Sequence, residues 1–157
     1  MPLKSADPAV TEKKIRQFFE AYEGRINRAL GERPEIDIEA EARVFTESFI
    51  EAHPGGVIAF DNDDEFRAAI PQNYAFQRSV GTQSMQIATL EITHLDEYHA
   101  MAKVHWNAQY RRKDNSEIVI DFDEVYLMQT IDDTPKIFAY IAGDQEKLLK
   151  DHGIVAK

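Results

Sequence analysis

The sequence contains no cysteine among its 157 residues. This absence excludes disulfide bonds, thiolate catalysis and metal sites built on cysteine ligands. It also agrees with a reducing compartment, so we expect a cytoplasmic protein. No apolar run approaches the roughly 18 residues of a membrane-spanning helix, and the first ten residues contain no apolar signal core. We therefore expect neither a membrane partner nor a secretion signal.

Basic residues are also scarce. The chain has 18 Lys and Arg residues against 28 Asp and Glu residues, for a formal net charge of −10. Nucleic-acid binders depend on basic surfaces that neutralise phosphates. The basic cluster "YRRKD" at 110–114 is interrupted at once by acids and is typical of an exposed hairpin tip. We expect no nucleic-acid partner.

Several chemical motifs are missing. The sequence has no glycine-rich phosphate loop, no G-x-S-x-G and no H-E-x-x-H. The acidic run "DNDDE" at 61–65 lacks the glycine of an EF-hand loop, and "DFD" at 121–123 has no histidine at a ligand's spacing. We expect no metal and no cofactor.

The N-terminal half shows helical periodicity. Apolar residues recur every three or four positions, which predicts a helix from the N-cap Thr11 to a stop at Gly31. A shorter helix is predicted over 38–45, followed by an extended stretch and a turn at "HPGG", 53–56. Asn62 and the glutamate three positions later predict a capping box that opens a third helix.

From residue 84 the period changes to two, which predicts strands. Their short polar connections favour an antiparallel meander, followed by a C-terminal helix over 144–153. Helices followed by a curved antiparallel sheet predict an α+β fold, and the length suits a single domain over 1–157 with residues 1–10 flexible. The predicted strands are 84–93, 99–112, 116–131 and 135–143.

The strand over 99–112 has one apolar face, formed by its even positions, and we expect that face to be buried. It includes Trp106, whereas His105 points the other way, to the surface. The facing strand has two possible registers. A hairpin loop of two or four residues turns Asp121 and Asp123 inward and leaves outside an apolar stripe that a second subunit would cover: Ile118, Ile120, Phe122 and Met128. A three-residue loop with a bulge turns both aspartates to water.

The order of elements resembles the nuclear-transport-factor-2-like superfamily, which includes ketosteroid isomerase and SnoaL-type cyclases. The matching features are the long first helix, "RVFTESFIEAHPGG", the helix after "NDDEF", and the meander ending "DDTPKIFAYIAGD". The resemblance covers about 11–143. It implies a cone in which a bent sheet wraps over helices and encloses an apolar pocket, in a homodimer. The apolar stripe described above predicts that this dimer pairs through the outer sheet face.

The resemblance also implies site residues. His53 falls where the isomerases carry their catalytic aspartate, and imidazole suits a general base. Tyr22 resembles the tyrosine that donates to the developing oxyanion. Leu127 takes the place of the second oxyanion donor, which departs from the isomerase pattern, and the same count places Asp123 beside the pocket.

The predicted function is that of a SnoaL-like protein that binds a small apolar molecule, as a cofactor-free isomerase or cyclase with His53 as base. Tyr22 and Asp123 would assist His53. The alternative is a non-catalytic ligand-binding or dimeric assembly module, with His53 an exposed turn residue and the aromatic side chains only core. The predicted ligand-binding residues are Phe45, Phe49, Tyr74, Trp106, Tyr110, Asp121 and Tyr140.

Overall fold

The computed structural model describes residues 7–131 and 133–155. The prediction that residues 1–10 are flexible concerns two parts of the chain. Residues 1–6 lie outside the described residues, whereas 8–10 form the first turn of a helix. The helices are α1 (Pro8–Leu30), α2 (Ile38–Arg43), α3 (Asp64–Ser79) and α4 (Gln145–Asp151). The strands are β1 (Phe45–His53), β2 (Gly56–Asp61), β3 (Thr82–His94), β4 (His99–Arg111), β5 (Glu117–Ile131) and β6 (Thr134–Ile141). The four predicted strands are therefore confirmed.

An aspartate precedes each of these helices and caps it. The carboxylates accept hydrogen bonds from backbone N–H groups of the first turn, which have no partner within the helix. Thr11 was predicted as the first cap, but α1 starts one turn earlier and buries Thr11. Asn62 was also predicted as a cap; its side chain instead donates to the Ala42 carbonyl at 2.7 Å. The capping residues are Asp7, Asp37, Asp63 and Asp144.

Within the described residues, six strands form one sheet in the order β2-β1-β6-β5-β4-β3. Every neighbouring pair is antiparallel except β1 and β6, which run parallel, so the sheet is mixed. The parallel pair arises because the meander from β3 to β6 ends beside β1, the first strand of the chain. An antiparallel meander alone does not determine where its last strand docks.

The inner face of the sheet packs against α1, as the even positions of β4 predicted. Ala102, Val104 and Trp106 have no exposed surface, and Ile15 and Phe19 of α1 pack into the same core. Small residues on β4 leave room above the sheet for the helix. The hydrophobic face that the alternation predicts is therefore confirmed.

The register of β4 and β5 is that of the three-residue loop. Arg112 and Ser116 close the hairpin by a backbone hydrogen bond, and Asn115 adopts a positive φ of 69°. Trp106 consequently pairs with Phe122, which turns even positions of β5 inward and odd positions outward. The register that places Asp121, Asp123 and Leu127 inside is wrong, because the odd loop length shifts every side chain of β5 to the opposite face.

Side chains of α1 hold the helix along the free edge of β3. The Asn27 amide both donates to the Met85 carbonyl at 2.7 Å and accepts from the Met85 N–H at 2.8 Å. Glu23 accepts from the Ile87 N–H at 2.6 Å. These bonds satisfy backbone groups that an edge strand leaves unpaired. They also fix the rotation of α1 about its axis, and with it the direction of Tyr22.

Candidate functional site

Tyr22 lies between α1 and the inner face of the sheet, among other aromatic rings. Its ring centroid is 6.2 Å from Phe18, 6.2 Å from Tyr126 and 6.3 Å from Trp106. The indole N–H of Trp106 lies beside the Tyr126 hydroxyl. Tyr22 keeps partial exposure although Trp106 and Tyr126 are buried. Burial, followed by the nearby Tyr74, raises the pKa of Tyr22 well above its usual value, so the phenol remains protonated and able to donate.

Glu124 is a partly buried residue of this region, and the pKa of its carboxyl group lies close to neutral pH. It lies at an even position of β5, so its carboxyl group faces inward, and its Oε2 accepts a hydrogen bond from the Tyr126 hydroxyl at 2.6 Å. Burial raises the pKa of Glu124 to about 7; the Tyr126 bond opposes this rise and the charge of Glu51 adds to it. The group therefore exists in both protonation states near neutral pH.

Tyr140 and Glu51 extend the site toward β1. The two residues face one another across the parallel β1–β6 pair, and their side chains are hydrogen-bonded. Burial first, then the charge of Glu51, raises the pKa of Tyr140 above its usual value. Tyr140 also lies 6.3 Å from Tyr126, ring to ring. We call the following set the tyrosine–carboxylate cluster: Tyr22, Glu51, Glu124, Tyr126 and Tyr140.

A second buried polar group adjoins this cluster. The Tyr74 hydroxyl donates to Glu41 Oε2 at 3.0 Å, and Arg25 Nε lies 3.3 Å from Glu41 Oε1. Glu41 is only 8% exposed, and its burial raises the pKa of the carboxyl group against the opposing effects of Tyr74 and Arg25. Tyr74 is therefore held by this internal ion pair, at the side of the interior formed by α2 and α3.

Aromatic side chains form one wall next to Tyr140. Phe45 stacks on Phe49 with centroids 4.5 Å apart, and Phe66 of α3 lies against both rings. Phe45 is 6.1 Å from Tyr140. The structure thus brings Phe45, Phe49, Trp106 and Tyr140 to the same interior as Tyr22, as their predicted roles require, although their contact with a ligand stays a prediction.

His53 lies at the end of β1, at the hairpin, and is half-buried. Its Nδ1 accepts a hydrogen bond from the Gly55 N–H at 3.0 Å, which occupies the lone pair of that nitrogen and places the proton of the neutral ring on Nε2. Alternation along β1 puts His53 on the same face as Phe49 and Glu51. Among the described residues, no hydrogen bond, ion pair or ring contact joins His53 to Tyr22 or Glu124.

Asp121 and Asp123 lie outside this interior. Asp123 Oδ1 is 2.7 Å from His105 Nδ1, and Asp121 Oδ2 is 3.9 Å from His105 Nε2, all on the outer face of the sheet. Both aspartate predictions depended on the inward register of β5, and that register is not the one formed. The predicted surface position of His105 is confirmed.

Tyr110 belongs to a different cluster. It is 5% exposed and packs with Ile120 and with Leu149 and Ile154 of the C-terminal segment. This cluster lies near the β4–β5 hairpin, so the structure does not bring Tyr110 to Tyr22. The strand β4, of 13 residues, contributes side chains to this cluster and to the core around Tyr22. Because its side chains alternate in the same way along its whole length, the sequence pattern does not tell which residues reach which cluster.

The residues that the sequence did not single out are Glu51, Glu124 and Tyr126. For Glu124 and Tyr126 the signal was present in the alternative register of β5, which turns even positions inward and would have placed an acid between Phe122 and Tyr126. Glu51 lies on β1, and its role follows from its pairing with Tyr140 across the sheet. In the part of the chain that the structure describes, no group of three or more His, Asp or Glu side chains is placed to hold a metal ion. Nor does any helix of residues 7–131 and 133–155 have the length and hydropathy to cross a membrane.

A long helix packed on a bent six-stranded sheet, with tyrosines and carboxylates between them, defines the class of protein. A family model described as NTF2-like protein (DUF6841) matches residues 11–145, and the chain belongs to this family. The predicted resemblance and the α+β cone are thereby confirmed. No curated protein matches the chain in sequence.

Solved structures share the fold at low sequence identity. An NTF2-like protein of unknown function from Shewanella oneidensis is 24% identical with a TM-score of 0.59, over 85% of this chain and 98% of that one. A candidate dehydratase of the NTF2-like family from Streptomyces avermitilis is 13% identical with a TM-score of 0.61, over 87% and 97%. A candidate calcium/calmodulin-dependent protein kinase II association domain from Xanthomonas campestris is 9% identical with a TM-score of 0.60, over 92% and 93%.

Proposed function

We propose that the chain binds a small, uncharged and largely apolar molecule at the tyrosine–carboxylate cluster and transfers a proton there through Glu124. The observation that carries this proposal is the inward carboxyl group of Glu124, which has a pKa of about 7 and lies 2.6 Å from the Tyr126 hydroxyl. A carboxyl group so tuned can both accept and donate a proton at neutral pH.

The surroundings of Glu124 support binding of a ligand beside it. Tyr22, Glu124 and Tyr140 are all desolvated enough to raise their pKa values, yet each keeps partial exposure. Both properties together are expected of side chains that line a recess open to small molecules. Among the described residues, the carboxyl groups of Glu41, Glu51 and Glu124 lie at this interior, and Arg25 beside them is paired with Glu41, so a negatively charged ligand would be repelled.

In this proposal, Glu124 takes the role for which the sequence favoured His53. The Nδ1 lone pair of His53 already accepts from Gly55, whereas Glu124 has one oxygen outside its bond to Tyr126. Tyr22, protonated, donates to a carbonyl or hydroxyl oxygen of the substrate. The reaction class is cofactor-free isomerisation, cyclisation or dehydration, and a candidate dehydratase among the structural neighbours supports it at the level of fold only.

A second candidate function is assembly through the outer face of the sheet. Cross-strand pairing aligns apolar residues of five strands there, and Ile50 and Ile141 are 44% and 49% exposed. We call this surface the outer patch: Ile50, Ala52, Val57, Ala59, Met101, Val125, Leu127, Ala139 and Ile141. The stripe first expected to form the dimer contact, which includes Ile120 and Met128, is buried inside, so a homodimer would use the outer patch instead. A structural neighbour named as a candidate association domain supports this second function at the level of fold only.

The test of the proposed function uses a panel of apolar ketones, lactones and hydroxylated terpenoids. We expect members of one class to raise the melting temperature of the wild type and to be converted with a pH profile governed by a group titrating near 7. Glu124→Gln should lose conversion by at least about 100-fold while still binding the compound. The exposed Glu91→Gln on β3 is the matched control and should behave as wild type.

Two outcomes would contradict the proposal. If no compound class stabilises the wild type, the cluster is core and not a ligand site. If a compound is converted equally by the wild type and Glu124→Gln, with activity lost instead in His53→Ala, the base is His53.

A further inference from the structure

A second hollow, separate from the tyrosine–carboxylate cluster, collects positive charge. It has a volume of ≈ 490 Å³ and lies where the ends of α1 and α3 meet the tip of the β4–β5 hairpin. Four cationic side chains line it, with Glu32 as the acid among the lining residues. The cations are Arg78, Arg111, Arg112 and Lys113.

This concentration is unusual for so acidic a chain. The hollow holds four of the 18 basic residues of a protein whose net charge is −10. The basic run noted in the sequence supplies three of them, and Arg78 joins from the end of α3. Because the net negative charge of the protein repels anions, an anion can bind only where cationic side chains are concentrated.

The geometry leaves donors available to a ligand. Arg112 is anchored by two nitrogens to the His152 carbonyl at 3.2 and 3.0 Å, which fixes its guanidinium before any ligand arrives. Arg111 has one nitrogen 3.0 Å from Glu117, in an exposed ion pair. Among the described residues, none forms an ion pair or hydrogen bond with the ammonium group of Lys113. Leu30, Val80 and Ile154 add an apolar floor.

We propose that this hollow binds the polyphosphate group of a small molecule. Guanidinium forks pair with phosphate oxygens in two-pronged hydrogen bonds, and several adjacent cations match a ligand that carries more than one negative charge. The volume of the hollow falls within the range of small-molecule sites, so a small ligand can fill it, whereas a macromolecule could place only a small part of itself there. The apolar floor would contact the organic part of the ligand.

The test is titration calorimetry of the full chain with inorganic tripolyphosphate, at constant ionic strength. Arg78 donates to the Ala29 carbonyl and Arg112 to that of His152, so both also cap helix ends and are unsuitable for substitution. Lys113→Gln and Arg111→Gln change exposed side chains instead. We expect saturable one-site binding, weakened about tenfold by each variant.

Charge-matched variants separate a site from general electrostatics. Lys103→Gln removes the same charge from the outer sheet face and should change the affinity less than twofold, whereas Glu32→Gln should tighten binding. Absence of saturable binding at millimolar tripolyphosphate would overturn the proposal, as would equal weakening by Lys103→Gln. Stronger binding of a single-stranded oligonucleotide, at equal phosphate concentration, would overturn the assignment to a small ligand.

Discussion

At the scale of single residues, Glu124 shows how one backbone register determines chemistry. On the outer face the same carboxyl group would be solvated and ionised at neutral pH. On the inner face, burial outweighs the bond from Tyr126 and brings its pKa to about 7. Asp123, its neighbour in sequence, points outward to His105, so two adjacent acids have opposite environments.

The raised pKa of Glu124 predicts a pH-dependent effect of Glu124→Gln on stability. Because the folded-state pKa lies above the ordinary 4.5, the free energy of unfolding falls as pH rises from about 4.5 to about 7, where the unfolded chain has released this proton and the folded protein still holds it. The difference in the free energy of unfolding between Glu124→Gln and the wild type should therefore shift in favour of the variant by about 2 kcal/mol from pH 5 to pH 8. Urea unfolding at both pH values measures this.

Glu91→Gln is the control for that measurement, since Glu91 is exposed on β3. Its effect on the free energy of unfolding should be the same at pH 5 and pH 8. An equal effect of Glu124→Gln at the two pH values would show that the carboxyl group is not desolvated in the folded protein.

At the scale of elements, α1 covers the edge of β3 and thereby aims Tyr22 at the sheet. The contact is made by polar side chains that pair with backbone groups, chiefly Asn27 with Met85 and Glu23 with Ile87. A purely apolar contact would tolerate small rotations of the helix, whereas these bonds have defined directions.

Asn27→Ala tests this contact. The substitution removes both bonds to Met85 and leaves a partly buried N–H and carbonyl unpaired, so we expect a loss of about 2 kcal/mol. For a chain of this length, that loss lowers the melting temperature by roughly 4–8 °C. Gln17→Ala on the exposed side of α1 is the control and should change it by less than about 2 °C. Equal effects of the two would show that the edge contact contributes nothing specific.

At the scale of the whole molecule, the outer patch is the surface through which we propose that the chain associates. Its residues come from five strands and are contiguous only because the sheet order places β6 between β1 and β5. Exposed apolar surfaces of this kind mark contacts between proteins. A second copy of the chain is the partner we propose.

Ile141→Lys tests association at this surface. The proposal predicts a wild-type dimer at micromolar concentration in sedimentation velocity and a monomer for the variant, because two like charges would be buried in a symmetric contact. Val119→Lys, on the same face near the hairpin and outside the outer patch, should leave the dimer intact. A monomeric wild type would contradict the proposal, as would a dimer unaffected by Ile141→Lys.

The predictions that succeeded depend on neighbours along the chain. Strand boundaries follow from the change of period at residue 84, and the buried face of β4 follows from its small and aromatic even positions. The predicted caps failed by a few residues because Ser, Thr, Asn and Asp compete for the same backbone donors. Asp7 lies one turn before Thr11, and Asp63 lies directly after Asn62.

The sequence by itself determined the α+β class, the order of elements and the aromatic residues of the interior, since these depend on local periodicity. Only the tertiary structure decided which acids face inward. With a three-residue loop between β4 and β5, Glu124 faces inward, whereas a loop with one residue more or less would turn Asp123 inward instead. The local sequence is compatible with either loop length. The choice depends on the packing of all of β5 at once, because burying Ile120, Phe122, Tyr126 and Met128 stabilises the fold more than burying their neighbours would.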